Sequence, residues 1–206
     1  MQPQRGLTLI ELLVAMAILA LMAAVSWLGI GSLLKTRART AVHAQDSMAL
    51  HIALAQIALD LDQSILVQGT APLHWDGKVL RLTRRSSNTP QAWPVVVGWA
   101  VVPGVDGEWL MRWVSEPATT RPQWQAAWEA AAQWGRSGRA AGATALVPAQ
   151  GLQVQFWSGD AWTNAQSAVH SQGPVAPSGL RMQIRTRTGE IVKNWAHPTV
   201  VRERTP

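Results

Sequence analysis

Glu11 is the first residue whose type and placement demand a chemical explanation. It is the sole charge between Arg5 and Lys35, set within GLTLIELLVAMAILALMAAVSWLGIGSLL. A carboxylate at bilayer depth costs roughly 2.5–3.5 kcal/mol on insertion scales, so a membrane segment keeps one where a partner or a role compensates. Elsewhere the chemistry is sparse. The histidines, His43, His51, His74, His170 and His197, form no short metal-ligand pair. The absence of cysteine removes thiol nucleophiles, thiolate metal sites and disulfides together. No glycine-rich phosphate loop and no Gly-x-Ser-x-Gly occurs. Asp76, Asp106 and Asp160 stand singly, without the spaced oxygen ligands of a calcium loop. Asp60 and Asp62 lie two apart on a helical pattern, which points them in different directions and predicts a solvated helix end. The expectation is a protein that is not an enzyme, with no catalytic residue, no metal and no cofactor.

The elements that carry these residues follow from the apolar pattern. The uncharged run 12–34 has 23 residues; at about 1.5 Å per residue it covers roughly 34 Å, enough for a hydrocarbon core of about 30 Å. That is too long for a secretory signal peptide, whose apolar region runs about 7–15 residues, and predicts a retained anchor. From 36 to about 63, Val42, Met48, Ile52, Leu54, Ile57, Leu61 and Ile65 recur at three- and four-residue steps with polar residues between them. This predicts an amphipathic helix continuing the span, bent if anywhere at Gly29 or Gly31. After Gly69 the punctuation is that of a β-rich domain, with Asp76-Gly77, Asp106-Gly107 and Thr188-Gly189 as hairpin turns. Strands are expected at 79–83, 95–102, 108–114, 152–157, 180–186 and 190–195, with Leu152, Val154, Phe156 and Leu180, Met182, Ile184 on buried faces. A helix is expected near 119–135, started by Pro122 and stopped by Gly135, with Trp124 and Trp128 docking on the domain.

With 206 residues and a net charge of +6, the chain has room for one extramembrane domain and a basic surface. Lys35, Arg37 and Arg39, the group Arg81, Arg84 and Arg85, and the trio Arg181, Arg185 and Arg187 are expected to be solvated faces, and most of the 12 tryptophans to be core. Arg5 precedes the span whereas Lys35, Arg37 and Arg39 follow it, so charge alone would place the domain in the cytoplasm.

The stretch Arg5-Gly6-Leu7-Thr8-Leu9-Ile10-Glu11-Leu12-Leu13-Val14-Ala15-Met16 resembles the amino-terminal signature of type IV prepilins and type II secretion pseudopilins. That signature is a short basic leader, a Gly, an apolar residue, Thr-Leu-hydrophobic-Glu and a long apolar helix, with Leu7 standing here where the family usually has Phe. The resemblance implies cleavage between Gly6 and Leu7 by a membrane aspartic prepilin peptidase, N-methylation of Leu7, and an outward-facing domain, against the charge rule. It implies that Glu11 is an assembly contact meeting the charged amino terminus of a neighbouring subunit. The order Leu146-Val147-Pro148 to Phe156-Trp157, then Gly159-Asp160-Ala161-Trp162, then Pro177-Ser178-Gly179 and a hairpin is similar to the J-type minor pseudopilin, although that type's usual second Trp after Trp162 is missing. Retention of Glu11 sets the chain apart from the K-type subunit.

The resulting expectation is an α+β protein: a leader at 1–6, a transmembrane helix at 7–34, its amphipathic continuation at 35–66, and a β-rich periplasmic domain of antiparallel sheets at 67–206. It would be a single-pass inner-membrane protein with a cytoplasmic amino terminus. Its function would be that of a minor subunit at the tip of a type II secretion pseudopilus, helping to initiate assembly and protein export. The implied partners are I-type and K-type minor subunits, the H-type and major subunits, and the prepilin peptidase, with no nucleic acid. The alternative is a minor pilin of a type IV pilus that captures DNA or a surface through Arg and Trp.

Overall fold

The computed structural model describes residues 8–67, 72–86, 91–104, 106–138, 142–158, 160–168 and 177–196. Gly6, Leu7, Gly69, Gly159, His170, His197 and the side chains of Arg39, Val42 and His43 lie outside the described residues. The elements in chain order are α1 (Leu9–Asp62), β1 (Leu73–Trp75), β2 (Val79–Arg85), β3 (Pro94–Gly104), β4 (Gly107–Val114), α2 (Arg121–Ser137), β5 (Ala143–Pro148), β6 (Gly151–Ser158), β7 (Ala161–Asn164), α3 (Ala165–Ala168), β8 (Gly179–Thr186) and β9 (Gly189–Ala196). The fold class is α+β, a long apolar amino-terminal helix followed by antiparallel sheets.

The chain divides into two compact units, Met1–Met48 and Ala49–Pro206. In the first, α1 stays helical through Gly29 and Gly31. Its segment Leu9–Arg37 is 29 residues long, with a mean hydropathy of 2.5 over its most apolar 18 residues, long and apolar enough to cross a membrane. Polar side chains there are satisfied inside the helix: the Ser26 hydroxyl donates to the Met22 carbonyl (2.8 Å) and Thr36 to Ser32 (3.0 Å). A helix in hydrocarbon has no water to satisfy such groups, so this back-bonding suits it to lipid.

The second unit holds two antiparallel sheets, ordered β1-β2-β3-β4-β5 and β7-β6-β8-β9. The main core takes Ala53, Ile57 and Leu61 from α1, Leu80, Leu82, Val97 and Trp99 from the larger sheet, and Val154, Phe156, Leu180, Met182 and Ile184 from the smaller. A second core lies where α2 packs Trp124, Ala131 and Trp134 against Val79, Val96, Ala100 and Val102. The larger sheet is therefore covered on both faces. That explains the unbroken apolar run of β3, since a strand buried on both sides does not alternate.

Several expectations are corrected. The helix ends at Asp62 rather than 66. Ser64 forms a bridge with Arg84, and the Ile65 N–H donates to the Thr83 carbonyl (2.8 Å), so the chain leaves the helix as an extended edge along β2. On that helix Ile57 and Leu61 are buried, whereas Ile52 is 55% exposed and Met48 66% exposed. Gly135 does not stop α2. The stop is Gly138, in the left-handed region (φ 69°), whose N–H donates to the Trp134 carbonyl (2.7 Å). Gly135 serves packing instead, because a Cβ there would sit 2.6 Å from Val79 Cβ. The start of α2 is a capping box: Gln123 N–H donates to Thr120 Oγ1 (3.4 Å) and Thr120 N–H to Gln123 Oε1 (3.2 Å). Strands β1, β5 and β7 were not anticipated.

Candidate functional site

Of the three positions singled out by the sequence, Gly6 and Leu7 lie outside the described residues, and Glu11 sits in the first turn of α1. The local sequence Thr8-Leu9-Ile10-Glu11 forms a reciprocal cap. Thr8 N–H and Thr8 Oγ1 both donate to Glu11 Oε2, at 3.1 and 3.0 Å, and Glu11 N–H points back to Thr8 Oγ1 at 3.4 Å. This is the spacing of a capping box, and an anion at this end also complements the helix dipole. Glu11 thus has a partner within its own chain. Both side-chain bonds end on Oε2, and Oε1 takes neither.

The strongest constellation in the second unit was missed by the sequence. Asp60, expected at a solvated helix end, is 1% exposed. Arg112 grips it with a fork: Nε donates to Oδ2 and Nη2 to Oδ1, each at 2.7 Å. Trp99 Nε1 donates to Oδ2 at 2.9 Å. Arg84 Nε lies 3.1 Å from Oδ1, close enough to pair as an ion but off the angle of a hydrogen bond, while its Nη1 donates to Gln63 Oε1 and the Arg85 carbonyl. Burial pulls the Arg84 guanidinium below its ordinary range, with Asp60 acting against that shift and Arg112 adding to it. Asp62, by contrast, is exposed. The missed signal was periodicity, since Asp60 falls on the same helical face as Ala53, Ile57 and Leu61. With its oxygens committed and its surroundings dry, Asp60 can clamp α1 to β2, β3 and β4 but is poorly placed for acid–base work.

A second cluster corrects the expectation that Arg81 belongs to a solvated face. Arg81 is 8% exposed. Its Nη1 donates to the Trp128 carbonyl (3.1 Å), its Nη2 to His74 Nδ1 (2.8 Å), and the guanidinium lies 4.9 Å from the Trp128 ring centroid and 3.7 Å from Asp76. Trp128 in turn stacks on Trp124, whose Nε1 donates to Thr83 Oγ1. An arginine only donates, so His74 Nδ1 accepts and carries no proton. Burial lowers the His74 pKa, the Arg81 charge lowers it further, and Asp76 opposes both. This cluster fastens α2 to the larger sheet. Arg85, at the end of β2, is exposed as expected. Among the described residues, no group of three or more His, Asp or Glu is arranged to hold a metal ion.

The family described as the prokaryotic N-terminal methylation motif matches residues 1–27. The match takes in Gly6, Leu7, the Thr8–Glu11 cap and most of the apolar span, and indicates a type IV pilin- or pseudopilin-like protein. Members carrying this motif are structural, and the apolar helix that follows it indicates membrane anchoring. A search among curated proteins finds no match.

Proposed function

We propose that this chain is a minor pseudopilin, a structural subunit at the tip of a type II secretion pseudopilus that helps initiate assembly and protein export. The observation that carries the proposal is the methylation motif at residues 1–27 running directly into the 29-residue apolar helix Leu9–Arg37. The chain would be inserted once in the inner membrane, with its amino terminus cytoplasmic and its domain periplasmic. The prepilin peptidase would cut between Gly6 and Leu7, and the new amino group on Leu7 would be methylated. Glu11 would meet the charged amino terminus of a neighbouring subunit, which offsets its cost in hydrocarbon. The partners would be I-type and K-type minor subunits, with the H-type and major subunits below them.

The reading as a minor pilin that captures DNA has less support. It draws on arginine and tryptophan at the surface, and the structure withdraws part of that supply: Arg81, Arg84 and Arg112 are paired within the domain and Trp99, Trp124 and Trp134 are buried, which leaves exposed arginines such as Arg85, Arg185 and Arg187.

Intact-mass measurement of the membrane form tests the proposal. The expected product begins at Leu7 and carries one added methyl group, and a bulky substitution at Gly6 should leave the leader attached. A retained leader in the wild-type protein would overturn the assignment. Co-purification with I-type and K-type subunits from membranes then separates the secretion reading from the pilus reading.

A further inference from the structure

β9 (Gly189–Ala196) is the outermost strand of the smaller sheet, with β8 on one side and no described strand on the other. Among the described residues, no backbone hydrogen bond from outside the β8 ladder reaches it. Its side chains are open to solvent as well: Glu190, Val192, Lys193 and Asn194 are exposed, Val192 by 51%. A two-residue turn closes the hairpin with Thr186 opposite Gly189, so the odd residues of β9 direct their N–H and C=O groups at β8, while Glu190, Val192, Asn194 and Ala196 direct theirs outward. Proteins usually guard such an edge with a bulge, a Pro or a charge. Here the pairing runs from 189 to 196 without a bulge, the strand holds no Pro, and its charges are Glu190 and Lys193.

We propose that β9 pairs antiparallel with β9 of a second copy of this chain, with Val192 of one copy opposite Val192 of the other. A two-fold axis normal to the sheet keeps each side chain on its own face, so odd residues oppose odd ones and even oppose even. Two such registers keep nearly the whole strand. One sets Lys193 against Lys193 at the axis, and like charges directly opposite are destabilising. The other centres on Val192 and opposes Glu190 to Asn194 and Ile191 to Lys193, over about 23 Å of strand at roughly 3.3 Å per residue.

The side chains suit that second register. Asn194 Oδ1 accepts from Arg181 Nε at 2.9 Å, which leaves the Asn194 amide group to donate. Glu190 forms no ion pair among the described residues, although Arg185 is its β8 neighbour, so its oxygens are available to accept. The carboxylate of each copy then meets the carboxamide of the other, twice across the axis, and the Lys193 stem lies along Ile191. An edge that complements itself is what a two-fold pair requires. One strand pair buries less than the roughly 1,600 Å² of a standard interface, so the dimer is weak in solution and gains from anchors that share a membrane. The pairing is the same whether the chain serves a pseudopilus or a pilus, and cleavage after Gly6 neither requires nor excludes it.

The chain has no cysteine, so single Cys substitutions report the register without background. The full chain in detergent micelles is oxidised with copper phenanthroline at up to about 0.2 mM protein, where affinities much weaker than micromolar still register. Opposed residues of a hydrogen-bonded strand pair lie about 5.5 Å apart at Cα, within the span of a disulfide. Val192→Cys should therefore cross-link to itself at least about tenfold faster than Glu190→Cys or Lys193→Cys, whose counterparts lie beyond that span. Glu190→Cys mixed with Asn194→Cys should cross-link to each other. Without oxidant, the wild-type mass in sedimentation analysis should rise from monomer towards dimer with concentration. Val192→Lys, at an exposed position, should keep the wild-type near-ultraviolet circular dichroism but stay monomeric, and mixing it with Val192→Asp should restore the dimer. Equal cross-linking at 190, 192 and 193, a wild type monomeric throughout, or a dimer that survives Val192→Lys would overturn the proposal, the last because α1 rather than β9 would then hold the pair.

Discussion

Asp60→Ala should be among the most damaging single substitutions in the domain. The side chain is 1% exposed and answers the Arg112 fork, the Arg84 guanidinium and the Trp99 indole together. Removing one member of a buried ion pair typically costs about 3–5 kcal/mol, because the remaining charge is left uncompensated. Here two guanidiniums would be stranded, with side chains only 11% and 16% exposed, and the fully buried Trp99 Nε1 would lose its acceptor. These losses share one group and are not additive, so about 4 kcal/mol is the working figure, a large part of the roughly 5–15 kcal/mol that holds a typical domain together. Asp60→Asn keeps an acceptor but drops the charge, and should lose about half as much. The assay is urea unfolding of the chain in detergent micelles, followed by near-ultraviolet circular dichroism of the buried tryptophans. A double-mutant cycle of Asp60→Ala with Arg112→Ala should show coupling of at least about 1 kcal/mol between the two sites. If both Asp60 variants unfolded within about 0.5 kcal/mol of wild type, the helix would be held by apolar packing alone and the clamp argument would be wrong.

His74 should make the domain acid-sensitive. Its folded pKa is lowered from about 6.5 by burial and by Arg81, so its contribution is present above that value and is lost as pH falls through the lower folded value; His74→Gln should flatten the stability profile below pH 6.5. Gly135→Ala would force a Cβ to within 2.6 Å of Val79 Cβ. Overpacking of about 1–3 kcal/mol should outweigh the roughly 1 kcal/mol of helix propensity gained, read as a lowered melting temperature; a raised one would show that the contact yields easily. Glu11→Gln separates the two roles of that residue, since a capping box accepts Gln as well as Glu whereas an ion pair does not. If the carboxylate meets a neighbour's amino terminus, Glu11→Gln and Glu11→Ala should both impair co-purification of partner subunits, and Glu11→Lys should be worse; normal assembly with Gln alone would assign Glu11 to the cap.

What could be read from the sequence was whatever is local. The turns at Gly77, Gly107 and Gly189 were visible because a single residue supplies the positive φ each requires. The alternating faces of β8 were visible because one side meets core and the other does not. Strands β1 and β7, at three and four residues, are too short for any period to register, and they exist because a longer neighbour pairs with them. Gly135 and Gly138 are three residues apart and chemically identical, so only the proximity of Val79 tells which one closes the helix.

The charged residues show the same division more sharply. Asp60 and Arg112 are separated by 52 residues, and Arg81 and Trp128 by 47, so no window along the chain contains either pair. A carboxylate on a helix and an arginine on a strand are each ordinary as solvated residues, and only the closure of α1 and α2 onto the larger sheet turns them into buried partners. Thr8 and Glu11, three apart, announce themselves within one turn. The segment that matches the methylation motif is therefore legible as a linear stretch, while the part that must hold its shape is encoded in pairs whose members carry no mark of each other.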